Sequence, residues 1–126
     1  MPGGPPRVLV IDDSKVIRVL LTAELESKGF TVETAEDGAS GLAKACATPF
    51  DLILIDAQMP GLSGFEVCRK LAETRVEGKP RLVMFSNRSK DFSARQHAAG
   101  SGADAFLTKQ GAGRVAEDVA QMLTPG

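Results

Sequence analysis

An α/β fold built on a parallel sheet is what this 126-residue sequence predicts, and two features predict it. Four short, uniformly apolar runs punctuate the chain, the pattern of strands covered on both faces. Strand-like and helix-like patterns also alternate five times, as they do where helices cross over between parallel strands. The length suits a single domain around one core.

Each apolar run ends on a residue able to take part in phosphate chemistry. Arg7 to Ile11 leads into Asp12-Asp13, Leu52 to Ile55 into Asp56, Leu82 to Phe85 into Ser86, and Ala105 to Thr108 into Lys109. Parallel strands share one C-terminal edge, and in open α/β sheets ligands bind there. Three carboxylates, a hydroxyl and an ammonium are therefore expected in one crevice.

Between the runs, the helices follow from spacing and punctuation. Val16, Ile17, Leu20, Leu21 and Leu25 form a broad apolar face, closed by Lys28-Gly29, a cation and a left-handed cap. Phe30 to Ala35 alternates less cleanly and reads as an edge strand. Ala39, Leu42, Ala43 and Cys46 recur at helical spacing until Pro49. After the loop Ala57 to Leu62, Ser63 with Glu66 matches a capping box, followed by Phe65, Cys68, Leu71 and Ala72 as the buried face. A polar helix carrying Lys90, Asp91, Arg95 and His97 is expected between Ser86 and Gly100. Val115, Val119, Met122 and Leu123 mark a last one, with Gly111 and Gly113 loosening its entry. Residues 1–6 read as a disordered lead-in, 7–123 as the domain and 124–126 as a tail.

Composition narrows the function classes. Hydrophobic content of 43% and charged content of 25% are ordinary for a globular domain. Fifteen basic residues balance sixteen acidic ones, for a net charge of −1, so bulk electrostatics gives no support to nucleic-acid binding. No apolar run approaches the roughly 20 residues of a membrane span, and the first residues lack the apolar region of a signal peptide. No membrane association is expected. Cys46 and Cys68 lie in helical patterns and are expected as free, mostly buried thiols in a reducing cytoplasm. One histidine makes a Cys/His metal site a poor reading.

The expected crevice has a definite chemistry. Asp12, Asp13 and Asp56 side by side would resist joint ionisation without compensating charge. A divalent cation supplies it, and all-oxygen ligands favour Mg²⁺ or Mn²⁺. Lys109 adds a fixed positive charge, and Ser86 a hydroxyl for a phosphoryl oxygen. Asp56, alone on the central strand, is the candidate nucleophile for an aspartyl-phosphate. Metal, lysine and hydroxyl would together hold the charge on the transferred group.

Asp12-Asp13, the stretch Asp56 to Gly64, Ser86, and Gly102 to Lys109, in this order and at strand ends, resemble a response-regulator receiver domain over residues 7 to about 123. The resemblance implies a flavodoxin-like, doubly wound five-stranded sheet in order 2-1-3-4-5 between five helices. It implies that Asp56 accepts a phosphoryl group from the phosphohistidine of a histidine kinase or phosphotransfer protein, or from a small phosphodonor. Asp13, Asp56 and the Gln58 backbone carbonyl would bind Mg²⁺ directly, and Asp12 through water. Ser86 would be the switch hydroxyl and Phe106 the switch aromatic. A downstream protein would read the change on the face of the fourth helix, fifth strand and fifth helix. A stand-alone switch is expected, with no enzymatic activity beyond its own phosphorylation and dephosphorylation.

Two positions depart from the family pattern. Gln110 replaces the usual proline after the lysine. A trans Lys109-Gln110 bond is expected, since cis before a non-proline costs about 2.5–4 kcal/mol. Asn87 replaces a very small residue, while Gln58 and Arg88 sit where dephosphorylation is usually tuned. Two other readings compete: a phosphorylation-independent interaction module, and a phosphohydrolase with an aspartyl-phosphate intermediate. Haloacid-dehalogenase-like hydrolases of the latter kind place an acid two residues after the nucleophile. Gln58 stands there and cannot shuttle a proton.

Overall fold

The computed structural model describes residues 4–59, 61–75, 79–86, 100–108 and 112–123. In chain order the elements are β1 (Arg7–Ile11), α1 (Lys15–Ser27), β2 (Thr31–Ala35), α2 (Gly38–Ala47), β3 (Leu52–Asp56), α3 (Gly64–Thr74), β4 (Arg81–Ser86), β5 (Ala105–Thr108) and α4 (Ala112–Leu123). All strand pairs are parallel and the order is β2-β1-β3-β4-β5, as expected. The helix expected between Ser86 and Gly100 falls on 87–99, outside the described residues, as do 1–3 and 124–126 of the expected lead-in and tail.

Strand side chains alternate between faces, and the helices divide accordingly. Val8, Val10, Leu52 and Leu54 pack with Leu21 and Leu25 of α1 and Val115 and Val119 of α4. Leu9, Ile11, Ile53 and Ile55 pack with Val67, Cys68 and Leu71 of α3, and with Leu42 of α2 at the margin. All five residues of β3 are buried, which makes it the axis of the sheet. Burying one such Leu or Ile stabilises the fold by about 1.5–3 kcal/mol.

Helix starts and stops follow local chemistry. Ser14, Asp37 and Ser63 cap α1, α2 and α3 by accepting from the amides of Ile17, Ser40 and Glu66. The Ser40 amide and hydroxyl hold the Asp37 carboxyl below the usual aspartate range. Lys28 ends α1, and Gly29 takes φ +94°, which an L side chain rarely adopts. Lys44 of α2 donates through Nζ to the carbonyl of Thr34 on β2, at 2.6 Å.

Three expectations about faces need correction. In α1 only Leu21 and Leu25 are buried, with Ile17 half-buried. Val16 and Leu20 are exposed by 66% and 48%, and Val19 by 57%. The sheet and α4 cover a stripe one residue wide, so the broader apolar face points outward. In α2, Ala39, Ala43 and Cys46 are exposed, and the buried positions are Gly38 and Gly41. A Cβ on Gly41 would meet Ile11 Cδ1 at 2.5 Å, and one on Gly38 would meet Val67 Cγ2 at 2.8 Å. The helix packs through its glycines, which an apolar count cannot see. Cys46 is therefore an exposed thiol, whereas Cys68 is buried as expected and both are free. In α3, Val67 joins the buried face while Phe65 and Ala72 are half-buried.

Candidate functional site

Register brings the strand ends together. Ile11 pairs with Ile55, so Asp12 and Asp56 leave adjacent strands at the same level. Asp56 pairs with Phe85, placing Ser86 one residue beyond it, and Ser86 pairs with Thr108. The carboxylates of Asp12, Asp13 and Asp56 each offer an oxygen within 4.8 Å of the other two. Asp12, Asp56 and Ser86 are buried and Asp13 is exposed. Lys109 follows Thr108 in sequence and lies outside the described residues, as do Asn87, Arg88 and Gln110 with the expected trans bond. The structure thus brings together four of the five expected chemical groups and describes nothing of the fifth.

Main-chain contacts hold the acids in place. The Asp12 amide donates to the Ala35 carbonyl at 3.1 Å. Its Oδ1 accepts from the Ser14 amide at 2.8 Å, and its carbonyl accepts from Arg18 Nη1 at 2.7 Å. Asp56 Oδ1 accepts from the Gln58 amide at 3.1 Å, a local turn that sets residue 58 beside the carboxylate. The first residue of α3, Gly64, seats on the end of β3. A Cβ there would lie 2.0 Å from the Asp56 carbonyl oxygen. Ser14 and Arg18 were not singled out from sequence, and Gly64 entered only as the end of the stretch that carries the resemblance. A serine before an apolar helical run was a legible cap signal; the other two contacts arise where the chain turns from a strand into the following helix.

Three acidic oxygens at this spacing fit a hard cation. They offer oxygen only, they repel one another when ionised, and the exposed Asp13 leaves the cluster open to solvent. Phe106 is half-buried, packs against the core on the α2/α3 side and pairs in register with Met84. The opposite edge of the sheet carries a cleft of about 400 Å³ lined by Arg7, Phe50, Asp51 and Lys79. Arg7 is engaged there, paired with Glu33 and stacked 5.3 Å from the Phe50 ring centre. That cleft shares no residue with the acidic cluster. Among the described residues, no helix is long and apolar enough to cross a membrane.

Comparison with known proteins agrees with this geometry. The sequence profile of the response regulator receiver domain matches residues 8–120. Response regulator MprA of Mycolicibacterium vanbaalenii is 37% identical over 105 residues, 83% of this chain and 44% of that protein. The transcriptional regulatory protein ResD of Bacillus subtilis is 33% identical over 82% of this chain and 41% of its own length. The chain therefore spans less than half the length of these relatives. Chemotaxis protein CheY4 of Vibrio cholerae superposes with a TM-score of 0.87 at 29% identity, covering 96% of this chain and 100% of that one. TrrA of Thermotoga maritima, solved in complex with Mg(2+)-BeF, superposes at 0.81 with 30% identity, covering 94% and 99%. Profile, sequence and fold agree across nearly the whole domain: the chain belongs to the receiver domain family of two-component response regulators.

Proposed function

We propose that this domain is a phosphoacceptor switch in which Asp56 takes a phosphoryl group from the phosphohistidine of a histidine kinase or phosphotransfer protein. The observation that carries the reading is the triad of acidic oxygens within 4.8 Å, with the Asp56 side chain at the end of the central strand. An Asp56 oxygen attacks phosphorus as the P–N bond breaks, and the electron pair returns to the donor's imidazole nitrogen. Asp13, Asp56 and the Gln58 carbonyl would hold Mg²⁺ or Mn²⁺ directly, and Asp12 would act through water. When bound, that cation would offset the repulsion among the carboxylates and the negative charge of the transferred phosphoryl group. The Mg(2+)-BeF complex of TrrA supports this assignment.

Ser86 donates its hydroxyl to a phosphoryl oxygen, and Lys109 pairs with another. The movement of Ser86 vacates space into which Phe106 turns, two residues along β5 from the register partner of Ser86. The altered face, built on β5 and the helices flanking it, is then read by a downstream protein. The domain turns over no external substrate beyond its own phosphorylation and dephosphorylation, and it works in the cytoplasm.

The test is intact-protein mass after incubation with acetyl phosphate, with and without Mg²⁺, beside Asp56→Asn. A Mg²⁺-dependent phosphoryl adduct absent from the variant is the expected result. No adduct and no beryllofluoride binding would instead favour a phosphorylation-independent interaction module.

A further inference from the structure

Resting on that reading, we propose that Arg18 is a positioning residue for the acidic cluster, holding the loop that carries Asp12 and Asp13 in its cation-binding form. Arg18 lies on α1, six residues after Asp12. Its Nη1 reaches back to donate to the Asp12 main-chain carbonyl at 2.7 Å. A guanidinium donor makes this bond one of the stronger class. The carbonyl it grips belongs to the peptide unit joining Asp12 to Asp13. That unit is planar, so fixing its oxygen fixes where the Asp13 amide and Cα lie, from which its side chain departs.

The remaining contacts explain why such a grip is needed. Asp12 is anchored twice more, by its amide on Ala35 and by its carboxylate on the Ser14 amide. Asp13 is exposed, whereas Asp12 and Asp56 are buried, so its side chain is the least enclosed of the three. Its placement therefore depends on the peptide that precedes it. Three acidic groups within 4.8 Å repel one another when ionised, which favours any movement of that peptide that separates them. The Arg18 bond opposes such movement, and the guanidinium places a positive charge on the same loop. An ordinary exposed helix arginine would extend into solvent; this one is half-buried and folded back over the start of its own helix.

The test compares wild type with Arg18→Met and Arg18→Lys. Mn²⁺ binding is followed by the electron paramagnetic resonance of the free ion. The acetyl phosphate adduct is measured in parallel against Mg²⁺ concentration, with circular dichroism melts as a check on folding. Removing an outer partner of a metal ligand typically weakens metal binding about 10- to 100-fold. Arg18→Met should therefore raise the half-saturating metal concentration at least about tenfold, with most of the maximal rate recovered at saturation. Arg18→Lys, which keeps charge and a donor, should fall between. A merely structural arginine would lower the melting temperature or the maximal rate and leave half-saturation unchanged; that result overturns the proposal. Should Arg18→Met fail to fold, an unshifted half-saturation in Arg18→Lys overturns it equally. Absence of saturable Mn²⁺ binding by the wild type would be a different failure, removing the phosphoacceptor reading and this assignment with it.

Discussion

Replacing Gly64 with alanine adds a Cβ 2.0 Å from the Asp56 carbonyl oxygen, 2.8 Å from its carbon and 2.9 Å from Ala57 Cα. All three obstacles are main chain, so no side-chain rotation relieves the clash. Reaching even 3.0 Å requires about 1 Å of separation between the start of α3 and the end of β3. β3 cannot retreat freely, because the Ala57 amide is bonded to the Phe85 carbonyl at 2.9 Å. α3 cannot lift freely either, because Ser63 caps it through the Glu66 amide. Overpacking of this kind costs about 1–3 kcal/mol, and loss of the cap adds about 1 kcal/mol. Alanine's helix advantage over glycine returns at most about 1 kcal/mol. The balance is a loss of about 1–3 kcal/mol, read as a lower urea midpoint at unchanged slope.

The same displacement reaches the chemistry. A misplacement of about 1 Å at a reacting group can cost about 100-fold in rate. If Asp56 takes half of the shift, acetyl phosphate should label Gly64→Ala about tenfold more slowly at saturating Mg²⁺. Wild-type stability together with a wild-type labelling rate would refute the reasoning: it would mean that α3 does not seat on the β3 carbonyl.

Gly29→Ala is the matching control, since a Cβ there meets nothing within 4 Å and only φ +94° opposes it. Urea titration should show a loss of about 1–2 kcal/mol, with the phosphorylation rate unchanged. Burial pushes the Cys68 thiol up to about 11 from an ordinary 9.0. At pH 8 a disulfide reagent should therefore label one thiol, Cys46, and reach Cys68 only on unfolding. Because the unfolded thiol ionises first, the Cys68 contribution to stability is intact below pH 9 and falls as pH rises towards 11. Cys68→Ala should flatten that part of the stability profile relative to wild type. Mg²⁺ should raise the melting temperature by mass action. Asp13→Ala should abolish most of that rise in a calorimetric scan.

How far sequence carries the structure depends on which residues do the packing. β1, β3 and β4 are legible because both faces of the sheet are covered, so nearly every residue in them is apolar. The site is legible for the same reason, as polar residues stand out where such runs stop. Faces of the outer helices are less so. α1 offers more apolar residues than its neighbours cover, and α2 packs through Gly38 and Gly41, whose contribution is the absence of a side chain. The Gly64 and Arg18 contacts link residues through the geometry of a turn. Spacing along the chain carries no trace of that.

The Lys44 contact has a consequence for how this molecule behaves in a crowded solution. Alternate residues of a parallel strand direct their main-chain groups to opposite sides. The Ala35 carbonyl turns inward to Asp12, so that of Thr34 turns out from the β2 border of the sheet. Another extended chain adding there would need that carbonyl, and Lys44 Nζ already occupies it. Recruitment of a sixth strand would have to displace an ammonium and bury its charge, the kind of deterrent that keeps sheet borders from polymerising. At this border the protection is separate from the exposed apolar residues Val16, Val19 and Leu20, which lie on α1 and offer side chains rather than unpaired main-chain groups.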